Sequence, residues 1–271
     1  MNIKGELFNL KYPSVMGILN VTEYSFFDGG KYFTEDKILA RARQIVEEGA
    51  DMVDIGAMAT NPSAPTITEE DEAQKLSEAI AIVKENFPHT IISVDTYRSQ
   101  VAKMAVEQGA HIINDISGGM FDENMFSTIA ALSVPYILMH TSGLPSEMQQ
   151  KTQYKNVVED VIYFLSEKIN RLHLLGVSDI IVDPGFGFGK TVDQNFELLK
   201  NLHKFSIFHL PILAGLSRKS MFYKLLQTTP EDVLPATLAG NLLALQQGVH
   251  ILRVHDVKET RQMIEVFKKI S

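Results

Sequence analysis

IIVDPGFGFGK, residues 180–190, is an apolar run that stops on an acid and breaks at once into proline and glycines. Such a run reads as a buried parallel strand whose C-terminal end delivers Asp183 to a surface. The glycines cannot cheaply continue a strand or start a helix, because each costs backbone entropy and Pro184 lacks a donor. Residues 184–189 are therefore expected to form a loop held open for a ligand. The pattern recurs. SVMGILN, DMVDIGA, TIISVDT, HIINDIS, PYILMHT and ILRVHD are short apolar runs ending on Asn20, Asp54, Asp95, Asn114, His140, and Arg253 with His255. A chain that repeatedly sets a polar residue where a buried strand finishes is assembling one site from many strand ends.

Between these runs lie stretches of helical period. Thr34 opens one carrying Ile38, Leu39, Ala42, Ile45 and Val46 and closed by Gly49, and Thr68 with Asp71 opens another carrying Leu76, Ile80 and Val83. Later helices carry Val101 and Met104, residues 125–132, Val158 to Leu172, residues 195–202, Met221 and Phe222, residues 238–245, and finally Val257, Ile264 and Phe267. Strands are expected at residues 15–19, 52–55, 90–94, 111–113, 134–139, 180–183, 211–213 and 250–254. Eight strand-helix units in strict alternation force a parallel sheet. Their size suits a (β/α)8 TIM barrel of the α/β class, in a single domain over residues 1–271, preceded by a short extended segment or hairpin around Gly5. An open doubly wound sheet is the competing arrangement. The barrel is favoured because the polar termini are spread over nearly every strand rather than gathered at one switch point.

The chain has 271 residues, 45% of them hydrophobic, enough for a substantial core without any evident linker. Its formal charge of −8 and lack of a basic stripe argue against a nucleic-acid or anionic-membrane binder. Any bound anion must be met by a few placed cations. The absence of cysteine removes disulfides, thiolate metal sites and cysteine nucleophiles. The first fifteen residues lack an apolar signal core and no run reaches membrane-spanning length, so a soluble cytoplasmic protein is expected.

GFGFGKT, residues 185–191, is one residue short of the phosphate-loop spacing and is not a dinucleotide fingerprint, so an ordinary barrel loop is preferred. Asp95 and Asp183 end apolar runs and need donors if they are to stay charged. Two carboxylates that accept, with the amide of Asn114 that both donates and accepts, suit a flat heterocycle bearing amino and ring N–H groups. Arg253 and His255 are two apart on an extended backbone and point the same way, and Arg218 and Lys219 come from the preceding loop. Four potential cations at one rim suggest a phosphate or diphosphate pocket; an exposed salt-bridge cluster is the plainer alternative.

MGILNVT, SVDTYRSQVA, HIINDISGG, LMH, IIVDPGFGFGK, LSRKS and ILRVHDVKE, in this order and spacing, closely resemble the dihydropteroate synthase family over nearly the whole chain. That resemblance implies a usually dimeric barrel that joins dihydropterin pyrophosphate to p-aminobenzoate and releases diphosphate. It implies pterin binding by Asp95, Asn114, Asp183 and Lys219, and a diphosphate cradle from Arg253 and His255. It further implies Mg2+ met by the side-chain oxygen of Asn20, with Thr60, Pro62, Phe188 and Ser220 shaping the diphosphate and p-aminobenzoate pocket.

The departures lie in the loops. The family usually reads TPDSFSDGG, STRPGA and HMRG where this chain has TEYSFFDGG (residues 22–30), ATNPSA (residues 59–64) and HTSG (residues 140–143). Tyr24, Asn61 and Ser142 thus replace an Asp and two Arg residues, while Glu23 with Phe26 and Phe27 resembles sulfonamide-insensitive members. A working synthase is the leading reading, a non-catalytic or repurposed pterin-binding barrel the second, and a pterin-dependent methyltransferase barrel the third. The last leaves the LSRKS and RVH cations without a phosphate.

Overall fold

In the computed structural model, which describes residues 1–3, 6–7, 12–22, 34–58 and 67–270, each apolar run is a short strand and each periodic stretch a helix. An antiparallel pair, β1 (Asn2–Ile3) and β2 (Glu6–Leu7), comes first. The parallel strands are β3 (Ser14–Asn20), β4 (Met52–Gly56), β5 (Ile91–Asp95), β6 (Ile112–Asp115), β7 (Tyr136–Met139), β8 (Ile180–Asp183), β9 (Leu213–Ala214) and β10 (Ile251–Val254). They pair in the order β8-β7-β6-β5-β4-β3-β10-β9. A parallel bridge between Val182 and Ile212, with the Val182 N–H donating to the Pro211 carbonyl at 2.9 Å, joins the two ends. The sheet is a closed (β/α)8 barrel, and the open doubly wound alternative is excluded.

The helices are α1 (Glu35–Glu47), α2 (Glu69–Asn86), α3 (Ser99–Gln108), α4 (Met125–Leu132), α5 (Val157–Leu174), α6 (Val192–Lys200), α7 (Ser220–Leu226), α8 (Leu234–Gln246) and α9 (Val257–Phe267). Their starts follow side-chain chemistry. Thr68 Oγ1 accepts from the Asp71 N–H at 3.1 Å, and Thr191 and Gln194 cap each other's backbone N–H groups reciprocally. Such a box contributes about 1 kcal/mol and moves the start of α6 ahead of the expected residue 195. Close packing on the barrel also depends on Gly17: a Cβ there would lie 2.4 Å from Ile45 Cγ2, so only glycine lets α1 lie this near β3.

Strand alternation sorts the interior into layers. Met16, Met52, Ile112, Ile137, Ile181, Leu213 and Ile251 form a buried floor inside the barrel, with Met1 and Ile91 packed against it. Because successive side chains alternate faces, the residue two positions on also points inward. That second layer holds Ile18, Asp54, Asn114, Met139, Asp183 and Arg253, and above it stand Asn20, Asp95, Ser217 and His255. Several strands run one residue further than expected, because the polar end residues belong to the ladder. Asn20 pairs with Gly56, Gly56 with Asp95, Asp95 with Asn114, and Met139 with Asp183. The polar groups therefore stand on rigid backbone rather than on free loop.

Candidate active site

A cavity of about 640 Å³ opens at the C-terminal ends of the strands, within the range of about 300–1,000 Å³ usual for small-molecule sites. It is lined by Asn20, Asp95, Asn114, Asp183, Phe188, Lys219, Ser220, Arg253 and His255. Thr60 and Pro62 lie outside the described residues, as do Glu23, Tyr24, Phe26, Phe27 and Asn61. Ile116, Met139, Met148 and Phe188 pack together as an apolar wall of the same cavity.

Arg253 is the hub of its polar side. Its Nε donates to Asp54 Oδ2 at 2.6 Å and its Nη2 to Asp95 Oδ2 at 3.0 Å. Burial opposes the charge of Arg253, but the two carboxylates outweigh it and hold its pKa above the ordinary value. Asp54 is fully buried and also accepts from Asn114 Nδ2 at 3.0 Å, while its Oδ1 has no partner. Burial pushes Asp95 up to about 7; Arg253 opposes this, and the neighbouring Asp54, Glu72 and Asp115 add to it. Asp183 is likewise raised by burial, against the Gly185 N–H that donates to its Oδ1 at 2.7 Å and the nearby Lys219 and Lys190.

Lys219 donates to the Phe186 carbonyl at 2.6 Å and sits 4.3 Å from the centroid of the Phe188 ring. Burial lowers its pKa to about 8, although Asp183 pulls the other way. His255 lies beside Ser217, whose Oγ accepts the His255 backbone N–H at 3.2 Å and lies 3.1 Å from its Nδ1. Burial, then Arg253, Arg41, Arg218 and Lys219, push His255 down to about 3.

Arg218, Lys219, Arg253 and His255 all line this one cavity, but they differ in what they face. Burial and the surrounding cations favour the neutral form of His255. Arg218 donates through Nε and Nη2 to Asp256 at 2.9 and 2.7 Å and through Nη1 to the Pro230 and Glu231 carbonyls. Its guanidinium thus holds the chain together on its own side of the mouth. The basic lining of the cavity is not confined to Lys219 and Arg253, since Lys190, Arg218 and Lys224 also line it. Nor is this an exposed salt-bridge cluster, since Arg253 pairs with a carboxylate that is fully buried.

A sequence profile of the family described as pterin binding enzyme matches residues 16–255. The chain belongs to the pterin-binding enzyme family. It is 39% identical over 262 residues to the dihydropteroate synthase of Haemophilus influenzae, covering 96% of this chain and 94% of that one. Its fold is similar to that of the Yersinia pestis dihydropteroate synthase solved with a sulfonamide drug, with a TM-score of 0.95 and 35% identity over 100% and 98% of the two chains. The Xanthomonas albilineans dihydropteroate synthase in complex with 7,8-dihydropteroate gives a TM-score of 0.88 and 34% identity over 99% and 97%.

In this pterin-binding enzyme, sequence reasoning missed residues that support the site side chains from beside or behind the cavity wall. Asp54 was visible as a strand end, but its link to Arg253 and Asn114 follows only from the layer they share. Ser217 sits within the LSRKS motif, and Arg41 of α1 donates to the His255 carbonyl at 2.7 Å. Arg98 binds the buried Glu72 at 2.6 Å and the Ile67 and Thr68 carbonyls, fixing the chain where the second loop rejoins the barrel. The third-loop departures are tied into their surroundings: Thr141 Oγ1 donates to the Gly143 carbonyl and Ser142 Oγ to that of Met148. His140, expected at the strand-end site, is not on the cavity. It has the opposite parity to Met139 and is buried against Phe164 of α5.

Mg2+ was expected at Asn20. Among the described residues no group of three or more His, Cys, Asp or Glu side chains could cage a metal. The single amide oxygen of Asn20 at the mouth, close to Asp95 across Gly56, suits a hard ion that keeps its waters and takes oxygens from a phosphate substrate.

Proposed function

We propose that the chain is a dihydropteroate synthase, a transferase that condenses 6-hydroxymethyl-7,8-dihydropterin pyrophosphate with p-aminobenzoate to give 7,8-dihydropteroate and diphosphate. The observation that carries this reading is the meeting of three acceptors, Asp95, Asn114 and Asp183, with the cationic Lys219 and Arg253 on one cavity that has an apolar wall. With Asn114 Nδ2 donating to Asp54, the Asn114 Oδ1 is left as an acceptor, and with the two carboxylates it can accept from the amino and ring N–H groups of a pterin while Lys219 donates.

The bond between the pterin methylene carbon and the diphosphate oxygen breaks, and the oxygen keeps the electron pair. Arg253 and neutral His255 donate to that leaving charge, and Asp95 favours the cationic pterin electrostatically. The arylamine nitrogen then bonds to the methylene carbon and loses its proton to the diphosphate. Asn20 would hold Mg2+, which supplies charge to neutralise the diphosphate oxygens. Phe188 and Ser220 bound the arylamine side; the family resemblance adds Thr60 and Pro62, which lie outside the described residues. The same resemblance adds a homodimer and a cytoplasmic location; among the described residues no helix is long and apolar enough to cross a membrane.

Purified protein with Mg2+, dihydropterin pyrophosphate and p-aminobenzoate should form dihydropteroate. Pterin binding without amine-dependent diphosphate release would instead point to the repurposed barrel. Chelation by EDTA should abolish turnover, and added Mg2+ should restore it; turnover untouched by EDTA would remove the metal from the scheme.

Lys219 sets a pH limit. Its folded pKa of about 8 lies below the ordinary 10.5, so the ammonium that meets the substrate is present below pH 8 and lost above it. A plot of kcat/KM against pH, which reports the free enzyme, should therefore fall above about pH 8. The fall in kcat should come at higher pH, because the bound diphosphate raises the lysine again. A kcat/KM profile flat to pH 10 would contradict the assignment.

A further inference from the structure

Every carbonyl of residues 185–189 is taken by a side-chain donor. Lys190 Nζ binds Gly185 O at 2.8 Å and Phe188 O at 3.0 Å. Lys219 Nζ binds Phe186 O at 2.6 Å, Gln149 Nε2 binds Gly187 O at 2.8 Å, and Tyr154 Oη binds Gly189 O at 2.9 Å. A phosphate loop turns its N–H groups toward an anion; this glycine loop turns three carbonyls toward lysines and two toward neutral donors, and spends two N–H groups on Asp183 and Asn195. The KT ending therefore has a different use.

Lys190 is buried, only 4% exposed, and its third donor meets His140 Nδ1 at 2.9 Å. Three N–H groups thus find three acceptors. With Lys190 protonated, His140 accepts at Nδ1, and burial with the adjacent Lys190 favours its neutral ring. Gly185 is held from both sides, its carbonyl by Lys190 and its N–H by Asp183 Oδ1. No other residue fits, since φ is +72° and a Cβ would lie 1.9 Å from the His140 carbonyl oxygen. The same ammonium holds the Phe188 carbonyl, and the Phe188 ring packs beneath Lys219.

We infer that Lys190 is a positioning residue: through Gly185 it aims the Asp183 carboxylate at the pterin, and through Phe188 it fixes the wall beside the arylamine. The kinetic part of this inference rests on the synthase reading above. Burial pushes the Lys190 amine down to about 7 while Asp183 holds it up, so a lysine is a costly way to fill this space, and an apolar side chain of similar volume would serve a merely structural purpose as well or better.

Lys190→Met keeps the stem and removes the three bonds. Calorimetric titration with dihydropterin pyrophosphate, in the absence of arylamine, should show affinity weakened by about tenfold or more, as for loss of charge-assisted bonds. KM for p-aminobenzoate should rise by a similar factor and kcat should change less, because no reacting atom is touched. Backbone amides of Gly185 and Gly187 should exchange with solvent deuterium about tenfold faster. Pterin affinity within twofold of the parent would overturn the inference, whatever the melting temperature. The exchange readout needs no substrate. If the parent itself binds no pterin, the synthase reading fails, and unchanged exchange in the variant would overturn the clamp separately. Should Lys190→Met not fold, His140→Leu removes one acceptor from the ammonium. A roughly threefold loss of pterin affinity then supports the inference, and parent-like affinity overturns it.

Discussion

Arg253→Met should lower kcat/KM by about 10²–10³-fold, the usual cost of losing one donor to a charge that develops in the transition state. It should also destabilise the fold by about 3–5 kcal/mol, the penalty for stripping the partner from a buried charge. The second effect arises because Asp54 is fully buried and takes the Arg253 Nε at 2.6 Å, with Asp95 on the other arm of the guanidinium. The two losses can be separated. In Asp54→Asn with Arg253→Met the orphaned carboxylate is gone, so urea unfolding should recover most of the stability while turnover stays low. Parent-like turnover in Arg253→Met would remove this arginine from the diphosphate site.

How much of this was legible in the sequence depends on the length scale of the interaction. The barrel was, because alternation of apolar runs with helical stretches is a local pattern and eight repeats leave few ways to bury it. The strand ends were legible too, since a polar residue at the close of an apolar run is unusual wherever it falls. Within the list of strand ends, however, parity decides the outcome. Asp54, Asn114, Asp183 and Arg253 are two residues above the floor and point inward, whereas His140 and Asp115 are displaced by one and point outward. Asp115 accordingly takes the Tyr136 hydroxyl at 2.5 Å behind the sheet. Counting from the floor residues in steps of two would have drawn that line.

Other features depend on contacts between distant segments and leave no local trace. The partner of Arg218 is Asp256, 38 residues away, and that of Asp54 is Arg253, 199 residues away. The GKT ending drew attention for its likeness to a phosphate loop, yet its lysine turns back on the loop's own carbonyls. Spacing alone cannot say which way a lysine folds, because that depends on His140 from another strand being buried beside it.

Asp95→Asn should separate charge from shape. The amide keeps the volume and one acceptor, so Arg253 retains a partner, but the negative charge that favours a cationic pterin is lost. We expect kcat/KM to fall by about 10²–10³-fold, with kcat carrying more of the loss than pterin affinity, because the charge matters most where cationic character develops. Stability should move the other way. The folded pKa of Asp95, about 7, is raised from an ordinary 3.8. The native state therefore holds its proton where the unfolded chain has released it, so this residue makes stability fall as pH rises from about 4 to 7. Below pH 4 both states are protonated and the penalty is absent. Asp95→Asn should accordingly match the parent near pH 4 and equal or exceed it at pH 7 in urea unfolding, while its deficit in turnover opens as the parent's carboxyl ionises around pH 7. Because the native carboxyl ionises around its folded pKa of about 7, the parent's kcat/KM should rise through about pH 6 to 7, and that rise should vanish in the variant. A variant that turns over like the parent at pH 7 would show that the charge at Asp95 does no catalytic work.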